Sequence, residues 1–133
     1  MTVSLKLIDI SGPFPTSLYH IFSDDSCIGK CELRHRPGKS AHLPEGFESH
    51  IYYEIDAPYR GQGYAKNALR ELLIGARHLG LDEVILVVAE DNIPSQRVIE
   101  ANQAELLGAT LGADGLNYRK YRILLQREKR KIL

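Results

Sequence analysis

The chain has 133 residues, enough for one domain around a single buried core and too few for two ordinary ones. Its 44% hydrophobic and 26% charged residues are a globular composition, and no stretch of about 18 unbroken apolar residues exists that could span a bilayer. Lys plus Arg and Asp plus Glu are both 17, so the formal net charge is +0 and no global positive field is available to hold a nucleic-acid backbone.

Residues 3–10 alternate Val3, Leu5 and Leu7 with Ser4, Lys6 and Asp9, the pattern of a half-buried first strand, and Gly12-Pro13-Phe14-Pro15 ends it. The opening residues lack the charged head, apolar stretch and small-residue cleavage site of a secretory signal, which makes the cytoplasm the expected compartment. Residues 18–22 and 27–33 flank the polar turn Ser23-Asp24-Asp25-Ser26, predicting a hairpin. Cys27 and Cys31, four apart on the second of these strands, are expected on one face as packing thiols and not as a metal site. Residues 36–48 carry Pro37, Gly38, Pro44 and Gly46 with little periodicity, which predicts the one long loop and a candidate substrate-facing element.

Residues 50–56, rich in aromatic and β-branched side chains, predict a strand that Pro58 stops. From Gln62 the period changes. Ala65, Ala68, Leu69, Leu72, Leu73, Ala76 and Leu79 recur at helical spacing before Gly80, predicting a helix of about four turns. The continuous apolar run 84–89 predicts a central strand covered on both faces, the core of the sheet. Asn92 and Pro94 start a second, short helix with Val98, Ile99 and Ala101 on its apolar side. Residues 105–110 and 118–125 read as closing strands around Gly112-Ala113-Asp114-Gly115, and 126–133 as a basic, solvated tail. The order of strand, hairpin, strand, helix, strand, helix and two strands predicts one mixed α/β domain over residues 1–133.

The chemistry concentrates at Tyr59-Arg60-Gly61-Gln62-Gly63-Tyr64-Ala65, where a strand turns into the long helix. Glycines let the backbone approach a ligand, and the first free N–H groups of the helix point the same way, so the turn is a cradle for a phosphate or pyrophosphate. A Gly-rich turn can equally exist for tight packing alone. The nucleotide-triphosphate loop would need a Gly-Lys-Ser or Gly-Lys-Thr ending, which is absent, and the dinucleotide fingerprint would need a third glycine where Lys66 stands.

Arg60-Gly61-Gln62-Gly63-Tyr64-Ala65 resembles the Arg/Gln-x-x-Gly-x-Gly/Ala signature of the GNAT superfamily, the acyl-CoA-dependent N-acetyltransferases. Ile51-Tyr52-Tyr53-Glu54-Ile55-Asp56 is similar to the strand before that signature. Asn92-Ile93-Pro94-Ser95-Gln96-Arg97-Val98-Ile99-Glu100 is similar to the segment that opens the family's second CoA-side helix. The resemblance covers roughly residues 50–108 and implies the family's mixed, mostly antiparallel sheet with two main helices. It further implies that backbone N–H groups of Arg60, Gly61, Gln62, Gly63, Tyr64 and Ala65 hold the pyrophosphate of acetyl-CoA. The main chain of Tyr53, Glu54 and Ile55 would pair with the pantetheine arm in the gap between splayed strands, with Asn92 and Ser95 beside it. Lys66 and Arg70 are candidates for the adenosine phosphates.

The departures are as specific. The family's thiolate-protonating Tyr corresponds to Ile99, its Gly after the second helix to Gln103, and its two helices between the first strands to the few residues from Ser11 to Ser17. The acceptor side is therefore abbreviated, and the 36–48 loop or a second copy must wall it; pairing of two copies is expected. Direct acetyl transfer to a primary amine of a small molecule or peptide needs a base and a proton source but no covalent enzyme intermediate or metal. Glu54, His50 and Glu48 are candidate bases, His50 and Glu54 sharing a strand face with Tyr52, and Tyr121, ahead of Tyr118, is the candidate acid. A catalytically silent acyl-CoA sensor is the competing expectation.

Overall fold

The computed structural model describes residues 3–11 and 15–125. Strands β1 (Val3–Ser11), β2 (Thr16–Ser23), β3 (Ser26–Gly38) and β4 (Ser49–Ile55) lead through a single 3-10 turn, Ala57–Tyr59, into helix α1 (Tyr64–His78). Strand β5 (Glu83–Ala89), helix α2 (Ile93–Ala101) and strands β6 (Glu105–Leu111) and β7 (Asn117–Leu124) follow. The order is the predicted one. Residues 12–14 and the basic tail 126–133 lie outside the described residues.

The strands form two antiparallel sheets, β1-β2-β3-β4 and β5-β7-β6, and no hydrogen-bonded ladder among the described residues joins β4 to β5. This corrects the expectation for residues 84–89. Among the described residues strand β5 forms a ladder on one side only, with β7, and its burial alternates: Val84, Leu86 and Val88 are buried, while Ile85 and Val87 on the other face are half-buried. The apolar run signals a strand beside a gap, not a strand packed on both faces.

Helix α1 begins at Gly63 (φ 84°), a left-handed residue that only glycine adopts without strain. It ends in a Schellman motif, with Gly80 N–H donating to the Arg77 carbonyl and Leu81 N–H to the Ala76 carbonyl. Its buried stripe of Ala68, Leu69, Leu72, Leu73 and Ala76 belongs to the same core as Ile21, Leu33 and Ile51 of the first sheet and Val84 of the second, one core over both sheets. Each fully buried leucine of that stripe contributes roughly 1.5–3 kcal/mol.

Two local expectations give way to bulges. A register shift between β2 and β3 inserts an extra residue near Ile28, so Cys27 is exposed while Cys31 is buried; the two thiols do not share a face. Burial, with Glu32 adding, pushes the Cys31 thiol up to about 12, which makes it an inert packing group. Strand β3 also runs further than predicted, to Gly38, with a shift between Leu33 and Gly38 that Arg34 spans by donating to the Gly38 carbonyl (2.9 Å) and to Ser49 Oγ (3.1 Å). The long loop therefore shortens to residues 39–48. It is anchored, with Ala113 N–H donating to the His42 carbonyl and Lys120 Nζ to the Gly46 carbonyl (2.7 Å).

Gln103, at the family's glycine position, keeps the turn after α2 in a left-handed conformation (φ 62°), its N–H donating to the Glu100 carbonyl. A side chain there is strained by about 1–2 kcal/mol. Gln103→Gly is therefore expected to raise the thermal midpoint, by the equivalent of roughly 0.5–1 kcal/mol; calorimetric melting at one pH checks it, and a lower midpoint would contradict the strain.

Candidate functional site

A cleft of about 580 Å³ opens where β4 and β5 part, lined by Tyr53, Glu54 and Ile55 of β4, the turn residues Tyr59, Arg60, Gly61 and Gly63, the first turn of α1, and Asn92, Pro94, Ser95 and Val98 of α2. Register explains why β4 presents backbone to it. Asp56 N–H donates to the Ile28 carbonyl (2.8 Å), and antiparallel pairs alternate, so Glu54 directs its main chain at β3 while Tyr53 and Ile55 direct theirs into the gap. The sequence expectation that Tyr53, Glu54 and Ile55 all offer main chain is thus refined: Glu54 contributes its side chain on the opposite face, and the Ile55 carbonyl is taken by Arg60 Nε (2.7 Å). The Tyr53 amide and carbonyl and the Ile55 amide remain for a strand-like partner.

The turn fits an anion. Gly61 (φ 75°) and Gly63 (φ 84°) both have left-handed backbones, and a Cβ added at either would meet nothing within 4 Å, so the space above them is open to a ligand. No acidic residue occupies the first turn of α1, which leaves the positive end of its dipole uncancelled. Arg60 is turned back to Ile55 and Gln62 to the Pro58 carbonyl (3.2 Å), so these side chains shape the turn while its backbone faces the cleft. Tyr59 and Tyr64 flank it with rings edge-on at 6.3 Å.

At the inner wall, Tyr53 Oη and Ser95 Oγ are 2.7 Å apart, tying β4 to α2. Burial pushes the Tyr53 hydroxyl above its usual range, with the Ser95 hydrogen bond opposing it, so it stays protonated. Asn92 caps α2, its side chain accepting from Ser95 N–H (3.2 Å), and buried Gln96 donates to the Ala89 carbonyl (3.1 Å), fixing the helix to the end of β5. Sequence reading placed Ser95 here but missed the Tyr53 side chain. The signal was available, since Ile51, Tyr53 and Ile55 alternate onto the helix-facing side, where a buried phenol needs a partner.

The opposite face carries the other candidates. Glu54 Oε2 accepts from Tyr52 Oη (3.0 Å) and lies 4.0 Å from Lys30 Nζ. The 39–48 loop meets β7, the His42 ring tilted against Tyr118 with centroids 5.2 Å apart and Lys120 lying over Phe47. Tyr118 donates to Asp114 and is pushed up to about 12 by that bond. His50 does not reach toward Glu54: it is buried, and its Nδ1 accepts from Ile85 N–H at 2.9 Å. Burial lowers its pKa, with Glu83 opposing and Arg34 assisting. Tyr121, 2% exposed, donates to Glu100 Oε1 (3.0 Å) and is not among the residues lining the cleft; neither is Ile99, 1% exposed in the core. Lys66 and Arg70 are exposed on α1, and Arg70 lines a separate groove with Arg77. Glu48 is partly buried in the loop before β4.

A family model described as an acetyltransferase (GNAT) domain matches residues 11–105. No curated protein matches the sequence. Among solved structures, the chain is similar to the acetyl transferase from Salmonella typhimurium that modifies the N-terminal serine of 50S ribosomal subunit protein L7/L12. That pair has a TM-score of 0.65 and 20% identity over 86% of this chain and 66% of the other. It is also similar to the yncA protein of Salmonella typhimurium with its cofactor acetyl-CoA (TM-score 0.66, 13% identity, 86% and 67% covered). A third is RimL, the ribosomal L7/L12 alpha-N-protein acetyltransferase, in complex with coenzyme A (TM-score 0.66, 20% identity, 83% and 62% covered). The chain thus spans about two thirds or less of the length of these proteins, and the likeness at this identity is one of fold.

Ser95→Ala removes the partner of the buried Tyr53 hydroxyl and is expected to destabilise by roughly 1 kcal/mol, while Ser95→Ala combined with Tyr53→Phe should recover part of that loss. Denaturant titration of the two single variants and the double variant measures the coupling; strict additivity would remove the pair as an interaction.

Proposed function

Because the chain belongs to the GNAT acetyltransferase family, we propose that it transfers an acetyl group from acetyl-CoA to a primary amine of a small molecule or peptide. The observation that carries this reading is the cleft itself: free backbone N–H groups over two left-handed glycines at a helix start, continuous with the gap-facing main chain of β4. That combination suits a pyrophosphate followed by an amide-bearing arm. Gly61, Gln62, Gly63, Tyr64 and Ala65 would hold the pyrophosphate, Tyr53 and Ile55 the arm, and Asn92 and Ser95 its flank; Arg60, expected in the cradle, instead donates its N–H to the Ala57 carbonyl and its Nε to the Ile55 carbonyl, and so shapes the turn. Bound acetyl-CoA supplies an acetyl group already activated as a thioester.

The chain's own residues then handle protons. Glu54, on the face away from the helices, takes the amine proton directly or through one water, with Tyr52 and Lys30 orienting its carboxylate. At the inner wall Tyr53 Oη is the proton source for the departing sulfur, in place of the family's Tyr where Ile99 stands, and Ser95 Oγ hands on the replacement proton. We prefer Tyr53 to Tyr121 because Tyr53 lines the cleft and the Tyr121 hydroxyl is committed to Glu100. The acceptor enters over Tyr52, Glu54 and the 39–48 loop. A neighbour of similar fold modifies a protein N-terminal serine, which is a reason to include peptide N-termini among the amines tried.

The buried Ile99 favours one other reading, a catalytically silent acyl-CoA sensor. Thiol release from acetyl-CoA across an amine and peptide panel separates the two. Two copies are proposed to pair through the β1 edge, where Leu7, Ile8 and Ile10 are each about half exposed.

Three outcomes are expected. Ala65→Asp places a carboxylate in the first turn of α1, where it repels a pyrophosphate, and because Ala65 also packs against the core, the helix-dipole gain is offset by desolvation. Acetyl-CoA affinity should fall at least about tenfold in protein whose melting shows it still folded at the assay temperature; calorimetric titration with unchanged affinity contradicts the cradle. Tyr53→Phe should lower turnover by about 100-fold or more with acetyl-CoA affinity nearly kept, whereas Tyr121→Phe should chiefly cost stability, about 1 kcal/mol. Sedimentation should give a dimer that Ile8→Lys dissociates; a monomer at high micromolar concentration removes the edge pairing.

A further inference from the structure

Strands β4 and β5 meet at one end and part at the other. Tyr53–Ile55, at the C-terminal end of β4, and Asn92, just past the C-terminal end of β5, line the cleft. Near the N-terminal ends, His50 Nδ1 accepts the Ile85 amide proton at 2.9 Å. Register gives that contact its weight. Val84 and Leu86 pair with Ile123 and Tyr121 of β7, and the alternation turns the Ile85 N–H out of the β5-β7 ladder, toward β4. No β4 backbone group meets it in a ladder. A side chain of β4 supplies the acceptor instead, and it is buried, 6% exposed.

Resting on the acetyl-CoA reading above, we infer that His50 is a positioning residue: it straps β4 to β5 at the closed end of the gap and so sets the opening that receives the acyl-CoA arm. An imidazole whose Nδ1 accepts a hydrogen bond carries its proton on Nε2, so this nitrogen is not free to act as a base while the strap holds. The second proton that would make the ring a cation must land on Nδ1, and it breaks the strap. The charged groups bearing on the ring are Glu83 of β5 and Arg34 of β3, and they act in opposite senses, while burial favours the neutral ring. The sign follows: the unfolded chain binds this proton first as pH falls below the ordinary value of 6.5, so the strap's contribution is intact above that value and is lost progressively below it.

The test compares wild type, His50→Leu and His50→Asn by calorimetric titration with acetyl-CoA at pH 7.5 and pH 5, with amide hydrogen exchange on the same samples. Asn offers an oxygen near the Nδ1 position but does not titrate. His50→Leu is expected to weaken binding about tenfold at pH 7.5, while His50→Asn stays within about threefold of wild type. Wild type should lose more affinity than His50→Asn between the two pH values, the comparison cancelling protonation of the ligand. The Ile85 amide should be protected in wild type and His50→Asn and exchange about tenfold faster in His50→Leu, with the β5-β7 amides unchanged. Equal affinity and equal Ile85 protection in all three proteins overturn the strap, as does His50→Asn behaving like His50→Leu. Normal binding at both pH values with acetyl transfer lost in both variants would return His50 to the role of a base. Failure of wild type to bind acetyl-CoA at pH 7.5 overturns the reading of the cleft, and the Ile85 exchange then decides the strap by itself.

Discussion

The missing ladder between β4 and β5 is the constraint from which the rest of the molecule follows. Backbone N–H and C=O groups must be paired or wetted, and a sheet that splits leaves two facing rows of them. Here three of these groups find partners one at a time. Arg60 takes the Ile55 carbonyl, His50 takes the Ile85 amide, and Gln96 with the Asn92 amide takes the Ala89 carbonyl. Among the groups without such a partner, the Tyr53 main chain and the Ile55 amide lie at the wide end of the gap, beside the turn at the start of α1. The proposed site for an extended, amide-bearing ligand thus coincides with backbone groups that the fold leaves unpaired.

The wide end needs support, because splayed strands would otherwise close on each other or exchange partners. Helix α1 shares one buried core with residues of both sheets, and α2 is tied to β4 through Tyr53 and Ser95 and to β5 through Gln96. The opposite face has no helix among the described residues. The 39–48 loop covers part of it, anchored on Lys120 and on the turn at Ala113. Glu54 and Tyr52 stay reachable beside it. The two faces thus divide the work by physical character, with a packed, low-dielectric face that keeps Tyr53 protonated and a wetter face that carries a carboxylate.

Sequence by itself determined the elements and the place of the cradle. The helical period from Ala65 to Ala76, the Gly61 and Gly63 turn before it and the Asn92 cap are local properties, set by side-chain spacing and by backbone conformations that only glycine reaches cheaply, and each stands where the residues indicate. Period-two alternation likewise told which face of β4 a residue takes, but not what it meets there. His50, Tyr52 and Glu54 share a face, yet His50 turns to β5 and Glu54 to Tyr52 and Lys30. Only the tertiary structure decided that the apolar run of β5 borders a gap, that a bulge separates Cys27 from Cys31, and that Tyr53 meets Ser95 while Tyr121 meets Glu100. The physical reason is common to all of these. They depend on which strands pair, in what register and across what distance, and one inserted residue or one missing ladder reverses a face without changing the local pattern of the chain.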